Sequence, residues 1–256
     1  MTFLRVTGLS KSFGGVKAVD QVDFTVKAGH VFSIIGPNGA GKTTLFNLLT
    51  GLTLPDAGAI ILDGEDVTGL PAHQLAARGV SRSFQNLQIF FNMTALENVM
   101  VGNHLHTTRR FLPCLFGSSS VRDSEARTRI FAEELMHYVG LGDYVDADAS
   151  ALPYGALKRL EIARALATRP RILMLDEPAA GLNPAETAEI DALIKRIAED
   201  GITVLLVEHD MHLVWGVSDH IMVLNHGRVL AEGTAEEIRA NPEVVEAYLG
   251  HRARER

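Results

Sequence analysis

Short apolar runs alternate with helical patterns through most of the chain, and that alternation predicts the architecture. Val31 to Ile35, Ile172 to Leu175 and Ile202 to Val207 are apolar-rich runs of strand length, the pattern of strands covered on both faces of a mainly parallel sheet. Val80 to Phe84 is a further candidate strand, ending at Gln85. Near the N-terminus the period changes: Val22, Phe24 and Val26 alternate with Asp23 and Thr25, so Ala18 to Val26 is a half-buried strand following a shorter one at Phe3 to Leu9. Ala59 to Leu62 reads as another strand, entering a turn at Asp63-Gly64, and Pro71 to Ala77 as a short helix. Ile221 to Leu224 and Arg228 to Ala231, joined through Asn225-His226-Gly227, form a hairpin.

Between Asn86 and about Thr168 helical signals dominate. Thr94 with Glu97 is a capping box for a helix to about His104, and Phe131, Leu135 and Val139 make the apolar stripe of another that Gly140 closes. Thr107 to Ser120, with Pro113, Gly117 and three serines, is expected to be a long surface loop. Beyond this stretch, Asn183, Pro184 and Glu186 supply the cap, first-turn proline and capping-box acid of a helix buried along Ile190, Leu193, Ile194 and Ile197. Thr234 with Glu237 starts a short helix, and Val244 to Leu249 a last one, before a short basic tail from His251 to Arg256. The expected class is α/β. Residues 1–85 and 169–256 form a core sheet with an N-terminal antiparallel β subdomain, and residues 86–168 an inserted helical subdomain.

Composition narrows the function. With 24 basic against 31 acidic residues the formal charge is -7, which gives no electrostatic reason to expect nucleic acid as a partner. A single cysteine, Cys114, allows no internal disulfide, and with His104 and His106 it matches no metal-ligand spacing. The first residues lack the charged and apolar blocks of a secretion signal, and no apolar run has membrane-spanning length, so any membrane role is expected to run through a partner.

The strongest chemical signal is Gly36-Pro37-Asn38-Gly39-Ala40-Gly41-Lys42-Thr43, with a strand before it and a helix from Thr44 to Leu49 behind it. Glycines let successive backbone N–H groups turn inward, and the helix adds its N-terminal dipole at the same point. Lys42 would then reach the β- and γ-phosphates, Thr43 would offer a hydroxyl to Mg²⁺, and Thr44 would add a phosphate contact. Two other strands end in complementary groups. Asp176 would hold the metal shell, Glu177 would accept a proton from an attacking water, and His209 follows Val207 at a third strand tip. Phe13, beside Gly14-Gly15, is either a turn anchor or a face on which a purine stacks.

These residues resemble the ATP-binding subunits of ABC transporters over nearly the whole chain, and within them most the branched-chain amino acid importer ATPases. The resemblance is carried by the motifs above and by Ser83-Phe84-Gln85-Asn86, Met93 to Asn98, Ala179 to Pro184, Glu208-His209-Asp210-Met211 and Ala247-Tyr248-Leu249-Gly250. It implies a P-loop NTPase core of the RecA-like kind. In it Phe13 stacks on adenine, Gly36 to Thr43 is the Walker A loop, and Gln85 is the Q-loop glutamine that joins Thr43 and Asp176 at Mg²⁺. Asp176 and Glu177 become the Walker B pair, Asn183 lies in the D-loop, and His209 is the switch histidine at the γ-phosphate. It also implies a dimer over two ATP molecules, with a different or identical ATPase chain, docked on two permease subunits at the cytoplasmic face of the membrane and served by a periplasmic binding protein. The family signature Leu-Ser-Gly-Gly-Gln appears here as Leu152-Pro153-Tyr154-Gly155-Ala156, which acts on the partner's ATP. Pro153 brings neither hydroxyl nor N–H to that site. Importers of urea or short amides and the lipopolysaccharide-export ATPase resemble the chain too. A non-transport ABC ATPase is disfavoured by the absence of a long heptad insertion or basic face, and a GTPase by the absence of an Asn-Lys-x-Asp base reader.

Overall fold

A computed structural model describes residues 2–84, 87–106 and 119–252. Its strands fall into two sheets. The first is antiparallel, with order β2-β1-β4-β5, built from β1 (Thr2–Phe13), β2 (Val16–Lys27), β4 (Ala57–Leu62) and β5 (Glu65–Asp66). The second has order β10-β9-β3-β8-β7-β6 and comprises β3 (Val31–Ile35), β6 (Val80–Arg82), β7 (Ile172–Asp176), β8 (Thr203–Val207), β9 (His220–Asn225) and β10 (Arg228–Gly233). All its pairings are parallel except the β9–β10 hairpin.

Every residue of β3, β7 and β8 is buried, the polar Ser33, Asp176 and Thr203 included, as expected of apolar-rich strands covered on both faces. Phe32 and Ile34 pack toward the antiparallel sheet with Leu45 and Phe46, while Val31, Leu173, Leu175, Val204 and Leu206 pack toward the helical side. In β2 burial alternates from Val22 to Val26, the period predicted for one covered face.

The helices are α1 (Lys42–Leu49), α2 (Ala72–Ala77), α3 (Ala95–Gly102), α4 (Ser119–Tyr138), α5 (Tyr154–Leu166), α6 (Pro184–Glu199), α7 (Met211–Val217), α8 (Ala235–Ala240) and α9 (Pro242–Arg252). The capping boxes at Thr94, Asn183 and Thr234 form as predicted, with both reciprocal hydrogen bonds in place. The buried residues of α6 are Ile190, Leu193, Ile194 and Ile197, its predicted stripe. Helices α3, α4 and α5 form a cluster on one side of the parallel sheet around Leu96, Val99, Met136, Val139 and Leu160. None of the described helices is long and apolar enough to cross a membrane.

The structure revises several boundaries. The strand expected over Val80 to Phe84 stops at Arg82, whose side chain turns inward to an ion pair. The helix expected to run to about His104 ends at Gly102 and tightens into a 3₁₀ turn over Asn103–His106. Helix α4 is already formed at Ser119, two residues inside the expected loop, and the rest of that loop, with Cys114, lies outside the described residues. Helix α7, absent from the pattern reading, starts at Asp210, whose carboxylate accepts from the His212 N–H. The last helix reaches Arg252 and takes in the start of the expected tail.

Candidate functional site

Sheet topology brings the candidate residues together. Strands β3, β7 and β8 are neighbours and run parallel, so their carboxyl ends, which carry the glycine loop, Asp176-Glu177 and His209, lie side by side. A cleft of about 310 Å³ opens there, lined by Ala18, the loop from Asn38 to Thr44, Glu177 and His209.

Backbone geometry explains the loop's glycines. A Cβ on Gly36 would sit 2.0 Å from the Leu224 carbonyl oxygen, and one on Gly41 would sit 2.2 Å from that of Ala18. Gly41 also has φ 102° and takes the N-cap position of α1. The first intrahelical bond runs from the Leu45 N–H to the Gly41 carbonyl, so the amides of Lys42, Thr43 and Thr44 precede the helix ladder and supply donors at its positive end. Lys42 is only 7% exposed, and its ammonium donates to the carbonyls of Gly36 at 2.7 Å and Pro37 at 3.1 Å. Burial pushes its pKa down, against the pull of the Glu177 and Asp176 carboxylates. A cation held under a ring of amide donors fits a polyphosphate.

Glu177 is placed by strain. Its φ of 52° lies in the left-handed region, costing a non-glycine residue about 1–2 kcal/mol. The conformation is pinned by three bonds: its N–H donates to the Val207 carbonyl at 2.8 Å, and its carbonyl accepts from the Ala180 N–H at 3.2 Å and the Lys158 ammonium at 3.3 Å. The carboxylate Oε1 then lies 2.9 Å from His209 Nε2, with His209 half-exposed at the mouth of the cleft. A carboxylate held by an imidazole at the rim of an anion-binding loop is placed to take a proton from water.

Asp176 sits deeper. It is 5% exposed, and its Oδ2 is 2.7 Å from an Arg82 nitrogen. That guanidinium also donates to Asn47 Oδ1 at 2.6 Å and lies 5.4 Å from the Phe46 ring centroid and 5.2 Å from that of Phe84, so it joins β6, α1 and β7. Pattern reading missed Arg82, whose partner is 94 residues away; an arginine at the end of a short buried strand was the available signal. Lys158, 2% exposed on α5, was missed as well. The Asp176 carboxylate and Thr43 hydroxyl are hard oxygen donors of the type Mg²⁺ takes; Thr43 lines the cleft, and Asp176 Oδ2 is engaged by Arg82.

Other predicted residues lie apart. Phe13 ends β1 half-exposed under the Lys11 ammonium and is not among the cleft's lining residues. Gln85 lies outside the described residues. Pro153 is the N-cap of α5, with φ −62°, ψ 157° and no side-chain cap. Tyr154 is 45% exposed, while Gly155 and Ala156 are buried. Gly155 is required by packing, since a Cβ there would meet Glu186 Oε1 at 2.5 Å. None of the four lines the cleft of this chain. A wider groove of about 1090 Å³ includes Arg78, Arg169 and Arg171. Those side chains are engaged with Glu65, the Phe131 ring and Asp63, respectively.

Fold and cleft together define a P-loop nucleotide-binding α/β protein. The comparisons refine that class. The model of the ABC transporter family matches residues 19–180, and that of the branched-chain amino acid ATP-binding cassette transporter matches residues 228–254. The chain belongs to the ABC transporter family of ATP-binding proteins. It is 52% identical over 248 residues to the high-affinity branched-chain amino acid transport ATP-binding protein BraF of Pseudomonas aeruginosa, covering 96% of this chain and 97% of that protein. It is 46% identical to LivG of Escherichia coli K12, also named as a high-affinity branched-chain amino acid transport ATP-binding protein, over the same shares of each chain. A crystal structure of an ABC transporter's ATP-binding cassette in its ADP conformation superposes with a TM-score of 0.85 at 34% identity, covering 98% of this chain and 99% of that one. A nucleotide-free cassette gives the same score and identity over 97% and 99%.

Proposed function

We propose that the chain is the ATP-hydrolysing subunit of an importer for branched-chain or closely related amino acids. The observation that carries the catalytic part is the convergence of Lys42, Asp176, Glu177 and His209 on the tips of three adjacent parallel strands. The cargo follows from near full-length similarity to BraF and LivG and from the C-terminal match over residues 228–254.

In this reading the amides of residues 39–44 and the Lys42 ammonium hold the β- and γ-phosphates, and Phe13 stacks on the adenine. Thr43 and Asp176, joined by Gln85, would hold Mg²⁺ bound with the nucleotide, and the ion would supply charge neutralisation at the phosphate oxygens. Glu177 takes the proton of the attacking water, and His209, bonded to the same carboxylate, fixes that carboxylate and faces the γ-phosphate. Residues 86–168 act as an inserted helical subdomain within a single ATP-binding domain, and its Pro153 to Ala156 segment serves a partner's ATP. The assembly is a pair of ATPase chains on two permease subunits at the cytoplasmic face of the membrane, fed by a periplasmic binding protein. Binding of two nucleotides closes the pair and hydrolysis reopens it.

The test is uptake of radiolabelled leucine, isoleucine and valine by cells in which the chromosomal copy encodes either this chain or its Lys42→Ala variant. Loss of high-affinity uptake in the variant supports the assignment. Unchanged amino-acid uptake together with loss of urea uptake, or with an outer-membrane export defect, replaces the cargo.

A further inference from the structure

Glu208 is a buried carboxylate beside the cleft to which the proposed hydrolysis gives no task. It directly follows the last residue of β8 and is 3% exposed. Its two oxygens are divided between two loops. Oε1 accepts from the Ala179 N–H at 2.9 Å, in the loop that follows Glu177 and Pro178. Oε2 accepts from the N–H groups of His209 at 2.7 Å and Asp210 at 3.3 Å, in the loop that carries the imidazole. An ionised carboxylate is acceptor-only, with lone pairs enough for all three donors, and such charge-assisted bonds are the stronger kind.

The bonds prolong the sheet. The β7–β8 ladder closes with the Glu177 N–H on the Val207 carbonyl at 2.8 Å, and beyond that point the backbones diverge into loops. Glu208 bridges the gap with a side chain where no further backbone pairing is available. The groups on the two sides of this bridge are the Glu177 carboxylate and the His209 imidazole, which meet at 2.9 Å.

We propose that Glu208 is a positioning residue: its carboxylate locks the loop after β7 to the loop after β8 and so sets the Glu177–His209 pair. The proposal rests on the assignment of that pair to ATP hydrolysis. Glutamine preserves the volume of Glu208 but turns one of its acceptors into a donor facing amide donors, so both loops cannot be held at once.

The experiment measures steady-state ATP consumption and amide hydrogen exchange on the full chain, as wild type, Glu208→Gln, Glu208→Asp and Lys42→Ala. In Glu208→Gln, kcat is expected to fall by about 10- to 100-fold, the loss produced by a misplacement on the order of 1 Å, while KM for ATP stays within about threefold. The amides of Ala179, His209 and Asp210 are expected to lose protection together, with those of β3 and α1 unchanged. Aspartate keeps the charge but is one methylene shorter, and it is expected to shift both readouts in the same direction; it carries the test if the glutamine variant does not fold. A folded variant with kcat within about twofold of wild type, or with unaltered protection in either loop, overturns the proposal. Lys42→Ala separates the two claims. If it is inactive while Glu208→Gln turns over normally, only the role of Glu208 falls; if it remains active, the assignment of the cleft falls first.

Discussion

The strand tips of the parallel sheet and the start of α5 make opposite use of a helix N-terminus. At α1 the helix begins over a cleft walled by its own chain: Lys42 lies beneath the loop, Glu177 and His209 stand across it, and Asp176 sits behind. At α5 the helix begins with an exposed proline and a half-exposed tyrosine that line none of that cleft. The inner face of α5 is nonetheless tied to the first site. Lys158 donates to the Glu177 carbonyl, Gly155 lies against Glu186, and the Tyr154 ring approaches Gly181. One helix start is built as a site, and the other as an outward-facing end braced against the catalytic loop. That difference is what the proposed pairing requires, in which each chain would present α5 to the other's nucleotide.

Breaking the first half of this comparison should have the largest effect. Lys42→Ala removes the cation under the loop, and turnover is expected to fall by on the order of 10²-fold or more, with weaker nucleotide binding by equilibrium fluorescence titration. Unaltered affinity and turnover would remove α1 from the account.

Next comes the buried pair behind the cleft. Arg82→Met leaves Asp176 without its cation in a desolvated position, and the full chain is expected to lose about 3–5 kcal/mol in urea unfolding. A loss under about 1 kcal/mol would mean that the pair contributes nothing to the sheet's cohesion.

The smallest effect is expected at the outward-facing end. Pro153→Ser restores a hydroxyl to an exposed N-cap, and ATPase turnover of the assembled transporter is expected to change by no more than about threefold. A larger change than that of Glu177→Gln would mean that the α5 terminus, not the strand tip, limits hydrolysis.

What could be foreseen from sequence follows the range of the interactions involved. Buried strands announce themselves as apolar-rich runs because burial on both faces favours apolar side chains, and capping boxes as residue pairs three apart because both bonds are local. The stripe of α6 was visible for the same reason: one face of one helix fixes it. Helix α7 was hidden because seven residues give barely two turns of periodicity, and its cap, Asp210, sits inside the Glu208-His209-Asp210 motif. The site divides along the same line. Loop, carboxylates and histidine are each legible at a strand end, whereas the Arg82–Asp176 pair, the Lys158 bond to Glu177 and the bridge through Glu208 join residues far apart in sequence and exist only once the sheet is assembled.

The central claim, that Glu177 takes the proton of the attacking water, is tested most directly by Glu177→Gln. The change preserves shape and removes basicity. The account predicts ATP binding within a few-fold of wild type and turnover reduced by about 10²–10⁴-fold, the span of a positioned general base. Turnover within about twofold of wild type, with binding intact, would contradict it.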